Sequence, residues 1–136
     1  MKKLIAPLAV ATVVIATSML GCKMPKKLTT DQIQAIEDSI PHIFPTATMI
    51  HTNQNEDNDK VNLIITDPTF YISTPEQKQA AAIRSGVMLI HVMGADNNLS
   101  KATLVITKDK STNDGIPADG IQTDMKIDSL VKAGVK

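Results

Sequence analysis

Residues 73–94, STPEQKQAAAIRSGVMLIHVMG, constrain the fold more than any other stretch of this chain. Thr74 is placed to cap a helix, Pro75 to take its first position and Gln77 to close a capping box, with Glu76 in the first turn. Ala80, Ile83, Val87 and Ile90 recur at helical spacing, and Ala81, Met88 and Val92 widen that stripe. The second half, VMLIHVM, is apolar nearly all round, which predicts a helix buried on more than one side. Gly86 weakens such a helix by up to ~1 kcal/mol relative to Ala, and its missing side chain allows close packing. Gly94 is suited to the C-cap.

A helix of this kind needs a layer to lie on, and the flanking sequence supplies strands. Val61, Leu63 and Ile65 alternate with Asn62, Ile64 and Thr66 in KVNLIITDP, residues 60–68. With FPTATMIHT, residues 44–52, this predicts a hairpin whose tip is the polar run NQNEDND, residues 53–59. KATLVITKD, residues 101–109, places Ala102, Leu104 and Ile106 on one face. KSTNDGIPADG, residues 110–120, is a loop by its turn residues. IQTDMKI, residues 121–127, reads as a fourth strand, with a helix starting near Thr123 as the rival. DSLVKAG, residues 128–134, fits a short terminal helix capped by Asp128.

Near the front, Leu28-Thr29-Thr30-Asp31-Gln32 carries a second capping box. Thr29 is the cap, Gln32 the third helical residue, and Leu28 with Ile33 forms a hydrophobic staple. Ile33, Ile36 and Ile40 form one stripe, Asp31 suits the helix dipole, and Pro41 is expected to stop the helix. The expected fold is α+β: a small antiparallel sheet of about four strands, packed on one face by the long helix. A short N-terminal helix and a C-terminal one complete it.

The first 21 residues have another character. Lys2 and Lys3 precede an almost wholly apolar run, Leu4 to Leu20, and Gly21 precedes Cys22, the single cysteine of the chain. A charged start, an apolar middle and a small residue at the cut are the layout of a secretory signal peptide. An uncleaved anchor or an ordinary secretory signal are the alternatives. Met19-Leu20-Gly21-Cys22 resembles the lipobox of bacterial lipoproteins, best at Gly21 and Cys22; Met19 and Leu20 depart from the usual Leu and small residue. The resemblance implies cleavage before Cys22 and acylation of its thiol and amine. A lone cysteine excludes an internal disulfide framework. Acyl chains hold a protein to a bilayer at about 0.8 kcal/mol per buried CH₂. Lys23, Lys26 and Lys27 would lie beside the headgroups, in a tether of residues 22–28. Lys23, rather than Asp, after the cysteine implies by the same resemblance the outer membrane, with the domain facing the periplasm.

Residues 29–136 suffice for one domain. Of 14 basic residues, Lys2 and Lys3 precede the cut, leaving 12 against 14 acids and no field suited to nucleic acid. Phe44, Phe70 and Tyr71 are the only aromatics, too few for stacking platforms. His42, His51 and His91 lack metal-ligand spacing, and His91 reads as a core histidine with a hydrogen-bonded ring. The tip at residues 53–59 matches half a calcium loop, but the rest would need Gly at Asn58 and Glu at Ile64; a solvated turn fits better. No G-x-S-x-G or phosphate-cradling glycine pattern occurs, and Ser85 falls mid-helix. The carboxylate pairs Asp57 with Asp59 and Asp114 with Asp119 lie in polar loops, where burial does not raise a pKa. Asn98, in NNLS, reads as the turn after the long helix.

No enzyme and no cofactor are expected. The sequence points to a lipid-anchored, non-enzymatic binding or scaffolding module with an envelope protein partner. The alternative is an inhibitor or immunity-type lipoprotein that blocks a hydrolase or toxin. In either role Glu56, Asp57 and Asp59 are the candidate partner contacts, and in the second the loop at residues 110–120 joins them.

Overall fold

The computed structural model describes residues 24–109 and 116–136. Residues 1–23, which include the expected signal peptide and Cys22, and residues 110–115, with Asp114, lie outside the described residues.

Helix α1 spans Thr30–Ile43, strands β1 and β2 span Met49–Gln54 and Lys60–Thr66, and a single turn, α2, spans Pro68–Tyr71. The long helix α3 covers Pro75–Met93; β3 (Lys101–Thr107), β4 (Ile121–Asp124) and α4 (Ile127–Lys132) follow. Both capping boxes form. Thr29 Oγ1 accepts from Gln32 N–H at 3.2 Å while Gln32 Oε1 accepts from Thr29 N–H at 3.0 Å. The Thr74–Gln77 pair repeats the exchange at 3.2 and 2.9 Å.

The chain is α+β, with one four-stranded sheet in the order β1-β2-β3-β4. The sheet is mixed, not antiparallel: β1–β2 and β3–β4 are antiparallel, but β2 and β3 run parallel from Lys60↔Lys101 to Thr66↔Thr107. The reason is the connection. Residues 67–100 carry α3 back along the sheet, and a crossover of that length returns the chain to the same end. Being central and parallel, β2 from Leu63 and β3 from Ala102 are buried on both faces: Ile64 and Val105 are enclosed like Leu63 and Leu104.

Val61, Leu63, Ile65, Ala102, Leu104 and Ile106 meet Ile36 and Ile40 of α1 and Ala81, Ala82, Leu89 and Ile90 of α3. Pro41 does not stop α1; it lies exposed inside the last turn. Ile36, Ile40 and Phe44, each four residues apart and fully buried, draw the chain through the proline, and Phe44 N–H still reaches the Ile40 carbonyl at 2.8 Å. Residues 121–127 split: 121–124 form the edge strand, then Met125 and Ile127 keep the inward alternation as α4 begins. Asp128 does not cap α4. Lys126, in the left-handed region at φ 57°, occupies that place, and Asp128 pairs with Lys132 one turn on at 2.7 Å.

The buried face of α3 is displaced from the stripe expected of it. Ala81, Ala82, Ser85, Gly86, Leu89 and Ile90 face inward, while Ile83 is exposed and Val87 half-buried. At Gly86 an added Cβ would lie 2.6 Å from the Met125 carbonyl oxygen, so the helix passes directly over the corner between β4 and α4. Ser85 tolerates burial because its hydroxyl donates to the Ala81 carbonyl at 2.8 Å. Among the described residues no helix is long and apolar enough to cross a membrane.

Candidate functional site

The displacement leaves apolar side chains of α3 facing outward beside α1. Ile83, Val87 and His91 fall at successive spacings of four, so they form one line on the helix. With Ile43, His42 and Met88 they line a groove of about 380 Å³ between the two helices. Toward the start of α3 it adjoins a hollow of about 480 Å³ that shares Ile43 and Arg84 and includes Phe70, Ile72 and Ser73. Together they make a trough along α3. Ile72 at one end is 83% exposed, an unusual position for isoleucine, and Ile83 in the middle is 37% exposed.

Packing fixes the trough's walls. Phe44 closes the end of α1 and meets Phe70 of α2 edge-on, with ring centroids 5.0 Å apart. Asp67 caps α2, accepting from Phe70 N–H at 2.9 Å, and both its carboxylate oxygens accept from Thr46 Oγ1, at 2.9 and 2.7 Å. Asp67 is fully buried, and its backbone N–H donates to the Thr107 carbonyl at 2.9 Å, which ties α2 to the end of β3. Its sequence signal was present in TDPTF, an N-cap aspartate followed by proline at the first helical position.

Arg84 straddles the two hollows. Its guanidinium donates to the His42 carbonyl at 3.4 Å and has no carboxylate partner among the described residues. The lining of the groove holds cation-capable groups, Arg84, His42 and His91, and no acid. His91 is therefore not a core histidine. It is exposed on the groove side of α3, because hydropathy of its neighbours does not say which way one helix position points. His51 is exposed on β1, away from both.

The acidic tip is shorter than its sequence. Asn53 and Gln54 belong to β1, paired with Asn62 and Val61. Asn55 turns inward: its side-chain amide donates to Asp59 Oδ1 at 2.6 Å and its oxygen accepts from Lys60 N–H at 2.8 Å. Asp59 also accepts from Ser100 Oγ at 2.9 Å. The hydrogen bonds from Asn55 and Ser100 hold its carboxyl below the usual carboxylate range. Of the three acids singled out, Asp59 thus locks the hairpin to the loop before β3, and Glu56 and Asp57 alone are exposed. Asp119, expected to pair with Asp114, is exposed, and its carbonyl accepts from Tyr71 Oη at 3.1 Å.

A Ser-x-x-Lys spacing, expected to be absent, is present in the sequence. Ser129 and Lys132 match a Ser-x-x-Lys pattern. They lie exposed on α4, with Lys132 bonded to Asp128, so no pocket surrounds them. Among the described residues no three His, Cys, Asp or Glu side chains gather where they could hold a metal ion. The chain matches no protein-family model, no curated protein and no solved structure.

Proposed function

We propose that this protein is a non-enzymatic binding module of the bacterial envelope. Acylated Cys22 anchors it, on the outer membrane, with the domain toward the periplasm, and the α1–α3 trough receives an apolar segment of an envelope protein that carries a carboxylate. The trough carries this reading: an exposed apolar floor, an arginine at its centre that has no carboxylate partner among the described residues, and no acid in the groove lining. Apolar side chains would fill the floor, and a carboxylate would take the fork of Arg84, a charge-assisted pairing that fixes orientation. Glu56 and Asp57 are the exposed part of the tip that an inhibitor would use; with Asp59 committed internally, that tip offers less surface than the trough, which is the contact we propose.

Photo-crosslinking in living cells tests the assignment. A photoreactive residue at Val87 should give one discrete adduct, and the same residue at Gln122, exposed on β4, should give none. Arg84→Glu should reduce the Val87 adduct by about tenfold or more, as expected when a paired charge is reversed. Equal adducts from Val87 and Gln122, or an adduct indifferent to Arg84→Glu, would refute the trough as the binding surface. Cys22→Ser should move the protein from the membrane to the soluble fraction.

A further inference from the structure

Gln54, the last residue of β1, holds the incoming chain with both ends of its amide. Its Oε1 accepts from Leu28 N–H at 2.8 Å, and its Nε2 donates to the Lys26 carbonyl and the Asn58 carbonyl, each at 3.0 Å. Leu28 is itself buried in the core, 6% exposed. The chain is therefore fixed to the domain from Lys26 onward. Between Cys22 and Lys26 an extended backbone spans at most about 14 Å.

This attachment lies at one pole. β1 ends there, and β2 and β3 begin there, with Lys60 and Lys101 as register partners. Lys26, Lys27, Lys60 and Lys101 are all exposed. The other pole holds the ends of β2 and β3, α2 and the Ile72 end of the trough.

We propose that the hairpin pole is a membrane-docking surface, which rests on the anionic headgroups of the bilayer and turns the Ile72 end of the trough away from it. The proposal rests on acylation of Cys22. The tether selects a bilayer as the occupant. The length of free tether, shorter than the domain is long, confines the clamped pole to the surface. The four lysines then meet anionic phosphate groups. Exposed Asp31, Glu56, Asp57 and Asp96 share the pole with the four lysines, so tether length, not net charge, fixes the orientation.

The test uses the full acylated chain in vesicles of phosphatidylethanolamine and phosphatidylglycerol, with a fluorophore on a single introduced cysteine. Glu56→Cys reports the hairpin pole and Lys108→Cys the opposite end of β3. β3 has seven residues, so the two probes differ in height by roughly 20 Å. A headgroup nitroxide should quench the first at least about threefold more than the second. Inserting about 15 Gly/Ser residues between Met24 and Pro25 leaves the clamp intact and frees the domain, and should bring the ratio toward one. Equal quenching in the acylated chain, stronger quenching at 108, or a ratio unchanged by the insertion would overturn the orientation alone. An intact mass showing unmodified Cys22 would overturn the anchoring and the orientation together.

Discussion

Gly86→Ala is the substitution that most directly tests how the long helix is seated. Two effects oppose each other. Alanine is the better helix former, by up to ~1 kcal/mol. Against it, the new Cβ would lie 2.6 Å from the Met125 carbonyl oxygen, 2.9 Å from Leu130 Cδ1 and 3.2 Å from Met125 Cβ. Carbon–oxygen contacts ordinarily begin near ~3.3 Å, so backbone has to retreat by roughly 0.7 Å. That backbone is pinned: Met125 N–H donates to the Ala102 carbonyl at 2.9 Å, Gln79 Nε2 donates to the Asp124 carbonyl at 3.2 Å, and Met125 is fully buried. Overpacking against a fixed wall costs about 1–3 kcal/mol. Because the wall is pinned backbone, the strain falls in the upper part of that range, about 2–3 kcal/mol, and the net loss after the gain in propensity is about 1–2 kcal/mol. At roughly 4–8 °C per kcal/mol for a domain near this size, Tm should fall by roughly 5–15 °C. The assay is thermal and urea unfolding followed by far-UV circular dichroism, on the chain from residue 22 with Cys22→Ser. Ala80→Gly, at an exposed position of the same helix, serves as the control and should lose about 1 kcal/mol through propensity alone. A higher Tm for Gly86→Ala would refute the close approach of α3 to the β4–α4 corner.

Further expectations follow from the buried and half-buried carboxylates. Asp67→Ala leaves the Phe70 N–H and the Thr46 hydroxyl without their acceptor and should cost about 3 kcal/mol in the same urea assay, with Thr46→Val costing about 1–2 kcal/mol. Asp59, whose pKa is lowered on folding, contributes stability that is present above the unfolded carboxylate value. That contribution is lost as pH falls through the lower folded value. Ser100→Ala, which removes one of the two side-chain donors, should therefore flatten the fall in stability on the acid side, measured as urea midpoint against pH. An unchanged acid limb would show that the Ser100 hydrogen bond contributes nothing there.

Local signals in the sequence translated directly into structure where they were self-contained. Thr29 with Gln32 and Thr74 with Gln77 close their boxes within four residues, so nothing distant could overrule them. The inward residues Val61, Leu63, Ile65, Ala102, Leu104 and Ile106 were legible from alternation for the same reason. Failures arose where tertiary packing decided. Pro41 was overruled by the burial of Ile40 and Phe44 on either side of it. The inward face of α3 was misplaced because small residues, Ala82, Ser85 and Gly86, are buried, Gly86 against the β4–α4 corner, while the larger Ile83 and Val87 look outward; hydropathy ranks those the other way. That same inversion hid the trough and put His91 on the wrong side. The parallel pairing of β2 and β3 was readable from the helix between them, but alternation alone is silent on strand direction. Asp59 was visible as an acid and invisible as a lock, since its partner Ser100 is distant in sequence.

The parallel central pair also shapes how the molecule assembles. β1 and β2 can zip from their tight turn, but β3 has no turn from which to zip onto β2. Its strand arrives only after residues 67–100 have looped over and laid α3 down. Until then one edge of β2, with Leu63, Ile64 and Ile65, stays open to any extended chain nearby. In a polypeptide emerging N-terminus first, the half-built sheet is thus adhesive for as long as its second half is still to come, and the rate of that late closure sets how much protein is lost to aggregation.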